Sequence, residues 1–460
     1  MNEMNPGTAS LKKKKGFVKT STLVLFAFAT AFFPRLLRAA PLNFVHFATV
    51  PLAFGVAIFQ SRSKSPNQLS ITRELLVGLY IFFTISFASA LWNGAGAINA
   101  ILGFLMLAEP FMLLVALVCI PMSPTTFEQI RSWMVGFVGF HLFLVYAQYA
   151  LGFCHLPGEC DNIQGVFFRS GSGHVVGASI ACTFGIYYLL NTKHRPLWVR
   201  VLVFLIAFGE IQLADAKQVL LMFVVAFVII SLINVKNPLR TILYLIGITL
   251  FVIVFSWAIQ NVEALSSFGA WNRPELYGPD GEATKFKLSG IRTILAYMHS
   301  PVNWLLGLGP GHTIGRLGGW MLRDYSSLLS PLGATRVPYG ETVPVSTVVW
   351  AYLASSWLAN STSLFAPFFG WAGIWGDFGF LGLGAYLYLC SIVWRRLCPD
   401  DLPKYFMLTV FVCGLIFTQM EEPAYMLYIA TVIGLHWQEH QSNKKKYEES
   451  LQQSLPISTE

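Results

Sequence analysis

Apolar runs of about 18 residues or more recur along this chain, and each is long enough to cross a bilayer as a helix. With 55% of its 460 residues hydrophobic and only 12% charged, the chain is too poor in charge for a soluble protein of its length. The expected fold class is therefore all-α, a polytopic integral membrane protein. The net charge of +8 is not a nucleic-acid footprint, because much of it lies in short Lys/Arg clusters between apolar runs, where it orients helices.

The expected spans are roughly 20–34, 41–60, 75–92, 98–120, 133–151, 174–191, 199–213, 217–234, 241–260, 371–394, 405–420 and 424–437, about twelve in all. They form one transmembrane domain, 20–437, between a basic N-terminus, 1–19, and a polar tail, 438–460, whose Lys/Glu/Gln-rich composition predicts disorder. Lys12–Lys15 and Lys19 precede the first run and place the N-terminus in the cytoplasm. A signal peptide is the competing reading, but no small-residue cleavage site is followed by a soluble domain. The inner connections then carry Arg62, Lys64, Arg73, Arg131, Lys193, Arg195, Arg200, Lys236, Arg240, Arg395, Arg396 and Lys404, with Lys444–Lys446 in a cytoplasmic tail. Short outer connections carry few cations beyond Arg35 and Arg38, and one long outer loop, 261–365, is exempt from the rule by its length.

Cys154 and Cys160 flank a Pro157-Gly158 turn in the outer loop 152–173, where a pair can oxidise to a disulfide or stay as two thiols. No Cys/His spacing resembles a zinc site, no phosphate-loop or nucleophile-elbow motif occurs, and no internal repeat is present. Neither a metal nor another cofactor is expected.

Ionisable residues at membrane depth face a bundle interior or a water-filled cavity. Glu109, followed by Pro110, is expected to kink its helix and to serve as a functional carboxylate or as the partner of an arginine. Glu210, Asp215 and Lys217 cluster in GEIQLADAKQ, where Asp215 and Lys217 either pair with each other or leave Lys217 to face an anion. Asp377 in WGDFG reads first as a glycine-flanked turn residue, and Glu421 and Glu422 end a span, where solvation is expected.

Within the long loop, Ile291, Ile294, Leu295 and Met298 repeat at helical spacing, with Ser289 as N-cap and Arg292 and His299 on the other side. Pro301 closes the pattern, and GLGPG supplies a tight turn at Gly307, Gly309 and Gly311. The plain reading is a helix lying on the membrane surface. Arg169 and His174 flank a small-residue turn before a helix start, a place that favours anions. His312, Arg316, Arg323 and Arg336 add positive groups, most of them expected to be solvated or to face headgroups.

Four stretches resemble the superfamily of O-antigen ligases and O-antigen polymerases, bacterial envelope glycosyltransferases. They are FFRSGSGHVVGASIA, LADAKQVLLMF with Lys217 where an arginine is usual, Arg292 followed by PVNWLLGLGPG, and GWAGIWGDFGFLGLG. The resemblance implies a glycan donor on a polyprenyl diphosphate, a glycan or lipid acceptor, and chemistry on the outer face of the bacterial inner membrane. Arg292 and Lys217 would stabilise the leaving diphosphate, with Arg169, His174, Asp215, Gly309, Gly311 and Asp377 in substrate binding. His312, then Asp377, would be the base for the acceptor hydroxyl. The ligases carry a histidine-asparagine pair where this chain has Phe368 and Phe369, which favours a polymerase. The alternative in another class is a transporter or flippase using Glu109, Glu210 and Asp215 as an ion path, against which the missing internal repeat counts. A third is a scaffold within an envelope-assembly complex.

Overall fold

The computed structural model describes residues 19–37, 39–60, 65–120, 122–154, 160–168, 172–233, 238–262, 274–360 and 364–454. Arg38, Arg62, Lys64, Arg169 and the basic run before Lys19 lie outside these residues. Every expected span coincides with a helix. In order these are α1 (Thr20–Phe32), α2 (His46–Gln60), α3 (Pro66–Trp92), α4 (Ala97–Cys119), α5 (Pro124–Ala150) and α6 (Gly173–Asn191). Then come α7 (Leu197–Leu213), α8 (Lys217–Ile233) and α9 (Pro238–Asn261). The long loop holds α10 (Pro274–Tyr277), α11 (Glu282–Tyr297), α12 (Pro301–Leu306), α13 (Leu322–Asp324), α14 (Ser326–Leu329) and α15 (Val345–Ser355). The chain closes with α16 (Gly370–Arg396), α17 (Asp401–Ile416) and α18 (Pro423–Ser454).

Among the described residues six helical stretches are long and apolar enough to cross a membrane: Ala40–Phe59, α3, α4, α5, α6 and α16. That is half the expected number. For four of the missing six the shortfall is one of length, since α1 has 13 residues, α7 and α8 have 17 each and α17 has 16; α9 and α18, with 24 and 32 residues, are long enough but are not among the six. A perpendicular crossing takes about 20 residues at 1.5 Å rise. The helix starts are locally determined. Ser65 and Gln68 form a capping box ahead of Pro66, and Ser123 accepts the Thr126 N–H ahead of Pro124.

α4 is the central helix, with 89% of its most apolar window buried, and it packs on α2, α3 and α18. Pro110 lies inside it, and the helix continues on both sides. Two polar pairs lie inside the apolar bundle. Glu109 takes His46, not an arginine, at 2.8 Å, and Glu210 takes His141 at 2.9 Å. Each carboxylate is satisfied locally, as buried charge requires.

The amphipathic helix of the loop is longer than expected. α11 starts at Glu282 with Gly281 as N-cap, and Ser289 sits mid-helix with its hydroxyl donating to the Phe286 carbonyl at 2.8 Å. Its apolar face packs on α15 and Phe368–Phe369, burying Ile294, so it is folded against the protein's own loop. Lys287 clamps this layer down, its ammonium donating to the Ala366 carbonyl at 3.0 Å and the Ile416 carbonyl at 2.8 Å, 4.4 Å from the Phe369 ring. Burial pulls its pKa down to about 7.

Candidate functional site

α16 is interrupted at Gly379, where φ is 65° and ψ is −166°. A break inside a bundle frees backbone groups that must be paired. The glycine turn after α12 supplies the partners: Leu308 N–H donates to the Gly376 carbonyl at 2.8 Å and Gly309 N–H to the Asp377 carbonyl at 3.2 Å. The Asp377 carboxylate then accepts the Gly311 N–H at 2.9 Å, the Thr313 N–H at 3.0 Å and the Thr313 hydroxyl at 2.6 Å. Gly307, Gly309 and Gly311 have φ of +76°, +102° and +77°, and a Cβ on Gly307 would collide with the Asp377 backbone. His312 belongs to the same scaffold. One ring nitrogen meets the Leu308 carbonyl at 2.8 Å and the other the Thr335 hydroxyl at 2.9 Å. Burial drives its pKa down to about 4, and with both nitrogens engaged it has none left to take an acceptor's proton. Asp377, Gly309, Gly311 and His312 are thus brought together as the frame of a turn.

That turn delivers Arg316 to a cavity of about 400 Å³. The cavity lies at the end of the bundle where α1 and α17 finish and α2, α6 and α18 begin. Gly315 lets Glu421 come close, and a Glu421 oxygen accepts the Arg316 N–H at 2.7 Å. Burial, then the nearby Asp377, raises the Glu421 pKa to about 8. Glu422 forms an ion pair with the Arg316 guanidinium. Both glutamates were expected in solvent; Glu421 is buried and Glu422 is turned into the cavity. Burial and then the charge of Arg35 lower the Arg316 pKa to about 9, which leaves it cationic at neutral pH.

Arg35 lines the same cavity and makes no ion pair among the described residues. Arg323 also lines it, paired with Asp324 at 2.8 Å and lying 4.8 Å from the Trp350 ring. Trp320, Trp350, Phe47 and Phe368 form the apolar part of the wall. The arrangement offers forked cations to an anion and ring faces to an attached apolar or sugar group. Two of the three guanidiniums are held by carboxylates that an incoming anion would displace.

The other expected residues fall as follows. His174 lines the cavity, its Nε2 3.6 Å from Asp161 and its Nδ1 buried without a partner among the described residues. Lys217 is half-buried and paired with Asp215 at 2.6 Å, the local pairing that their spacing allowed. Arg292 is exposed on α11. Neither Lys217 nor Arg292 lines the cavity. Cys154 and Cys160 are bonded to each other, with Cα atoms 4.5 Å apart. Among the described residues no three His, Cys, Asp or Glu side chains are grouped as metal ligands.

Sequence reasoning missed Arg35, Arg316 and Arg323 as a group, with Glu422 and His46. The available signals were Glu421-Glu422-Pro423 between two apolar runs and a histidine at the head of a span.

Bundle and site together define a multi-pass, all-α membrane protein with a helical loop layer. No protein-family model, no curated protein and no solved structure matches the chain.

Proposed function

We propose that this protein is a membrane glycosyltransferase that polymerises or transfers glycans carried on a polyprenyl diphosphate. The observation that carries the reading is the cavity in which Arg35, Arg316 and Arg323 converge beside aromatic walls. A diphosphate leaving group needs charge stabilisation more than covalent help, and preorganised guanidiniums in a partly dry site supply it. In this scheme Arg316 and Arg35 grip the diphosphate, Glu422 swings aside, and Arg323 with Trp350 borders the glycan. Arg316, at the end of the GLGPGHT turn, takes the role first assigned to Arg292 and Lys217.

The cavity sits at the ends opposite the connections bearing Arg73, Arg131, Arg195 and Arg395. By the positive-inside rule this is the extracytoplasmic side of a bacterial inner membrane, with both termini in the cytoplasm. α1, α7, α8, α9, α17 and the apolar half of α18 then complete a twelve-span topology. A transport reading gains nothing from the broken helix, because its freed carbonyls are capped by the turn after α12 and are not open to an ion.

The test is binding of undecaprenyl diphosphate to the purified full chain in nanodiscs. The expected result is saturable binding that Arg316→Ala weakens about tenfold or more. Wild-type protein that fails to bind, or an Arg316→Ala variant that binds like wild type, contradicts the reading.

A further inference from the structure

The proposed reaction requires a group to take the proton of the acceptor hydroxyl. His312 is spent on the turn, and Asp377 already accepts from two amides and a hydroxyl. Neither lines the cavity. His46, at the first residue of α2, does.

Two histidine–glutamate pairs are buried in this bundle, and they differ in one respect. In His141 both ring nitrogens are engaged: Nε2 meets Glu210 at 2.9 Å and Nδ1 accepts the Val166 N–H at 3.2 Å. That pair is saturated and ties α5, α7 and the 160–168 segment together. In His46 only Nδ1 is engaged, at 2.8 Å and 3.0 Å from the two Glu109 oxygens. Its Nε2 has no hydrogen-bond partner among the described residues. The residue is only 3% exposed and lines the cavity. Glu109, fully buried, accepts from Nδ1–H, and that leaves the free lone pair on Nε2. A base oriented by a carboxylate beside a cluster of cations is the relationship expected for hydroxyl activation.

Resting on the glycosyltransferase reading, we propose that His46 is the general base and Glu109 its positioning residue. The acceptor hydroxyl oxygen bonds to the anomeric carbon of the donor glycan while the bond from that carbon to the diphosphate oxygen breaks. The hydroxyl proton passes to His46 Nε2, and the bonding pair leaves on the diphosphate beside Arg316 and Arg35. Glu109 balances the imidazolium, which then releases its proton to water. The other ionisable groups around the cavity are the Arg316–Glu422, Arg323–Asp324 and His174–Asp161 pairs, with Arg35 and Tyr325.

The test uses the full chain in nanodiscs, undecaprenyl diphosphate for binding, and membranes of the source strain to supply the natural lipid-linked glycan for turnover. His46→Gln is expected to bind undecaprenyl diphosphate within about twofold of wild type while turnover falls about 100-fold or more. Glu109→Gln is expected to keep binding and to lose about tenfold or more in kcat with KM within about twofold of wild type; Glu109→Asp recovers part of the lost kcat. If His46→Gln does not fold, diethylpyrocarbonate on wild-type protein decides: His46 is carbethoxylated in step with loss of turnover, and undecaprenyl diphosphate protects it. Turnover within about threefold of wild type in His46→Gln, an unchanged kcat in Glu109→Gln, or a carbethoxylated His46 in active protein overturns the assignment and leaves the diphosphate site standing. Wild-type protein that binds no undecaprenyl diphosphate and turns over no lipid-linked glycan overturns both.

Discussion

Glu422→Gln separates stability from affinity. The Glu422 carboxylate holds the Arg316 guanidinium, and the two side chains are 12% and 11% exposed, so the pair is largely but not wholly dry. An exposed pair contributes at most about 1 kcal/mol, while removing one partner from a buried pair costs about 3–5 kcal/mol. The intermediate burial places Glu422→Gln at about 2 kcal/mol of destabilisation, with Arg316 left short of a counter-charge. Affinity moves the other way. A carboxylate roughly 5 Å from a bound phosphate repels it by about 3 kcal/mol at an effective dielectric of about 20. Wild-type Glu422 relieves about half of that by swinging towards the mouth, which leaves about 1.4 kcal/mol, or about tenfold in dissociation constant. The assay is thermal melting of purified protein without ligand, paired with undecaprenyl diphosphate titration in nanodiscs. The expected pattern is a lower melting temperature and tighter binding. Unchanged or weaker binding would show that Glu422 does not compete with the diphosphate for Arg316, and the site argument would fail with it.

Three further outcomes follow from the frame of the site. Asp377→Asn places an amide against the Gly311 and Thr313 N–H donors, so the turn should loosen at about 2–3 kcal/mol; a lower melting temperature and new proteolysis at 307–321 check this. Gly379→Ala forces a side chain onto a φ of 65° and against Leu305, and should cost about 1–3 kcal/mol, read as a lower melting temperature; a wild-type value would deny that the break is obligatory. Glu421 has a folded pKa of about 8 against an ordinary 4.5, so the folded state holds a proton that the unfolded state releases. Its stabilising contribution is complete below pH 4.5 and is lost as pH rises through about 8. Glu421→Gln should therefore gain on wild type in melting temperature as pH is raised across that window, and parallel curves would refute the assignment.

The helices were legible because the apolar runs that mark them need no long-range information. The break between α7 and α8 was legible too, and it falls around Asp215, a non-glycine residue with φ of 49°. The number of spans was less so: apolar runs such as 20–34 mark a helix without showing that α1 is only 13 residues long. Ser289 looked like an N-cap because the helical repeat begins just after it at Ile291, but Glu282–Leu288 extend the helix upstream and the Ser289 hydroxyl is satisfied by Phe286. The glycine turn was legible from composition, whereas Asp377 as its anchor was not, since 66 residues separate it from Gly311. The same distance in sequence hid the cavity. Arg35 and His46, Arg316, and Glu422 come from three well-separated parts of the chain, and only packing of the helix ends makes them neighbours. The family resemblance pointed instead to Lys217 and Arg292, the first already paired with Asp215 and the second exposed.

The most direct measurement is a cryo-EM map of the full chain in nanodiscs with undecaprenyl diphosphate. The account predicts phosphate density within about 3 Å of the Arg316 guanidinium, between it and Arg35, with Glu422 turned away and His46 facing the glycosyl side. Phosphate density beside Lys217 or Arg292, or an Arg316–Glu422 pair intact with the lipid bound elsewhere, would contradict it.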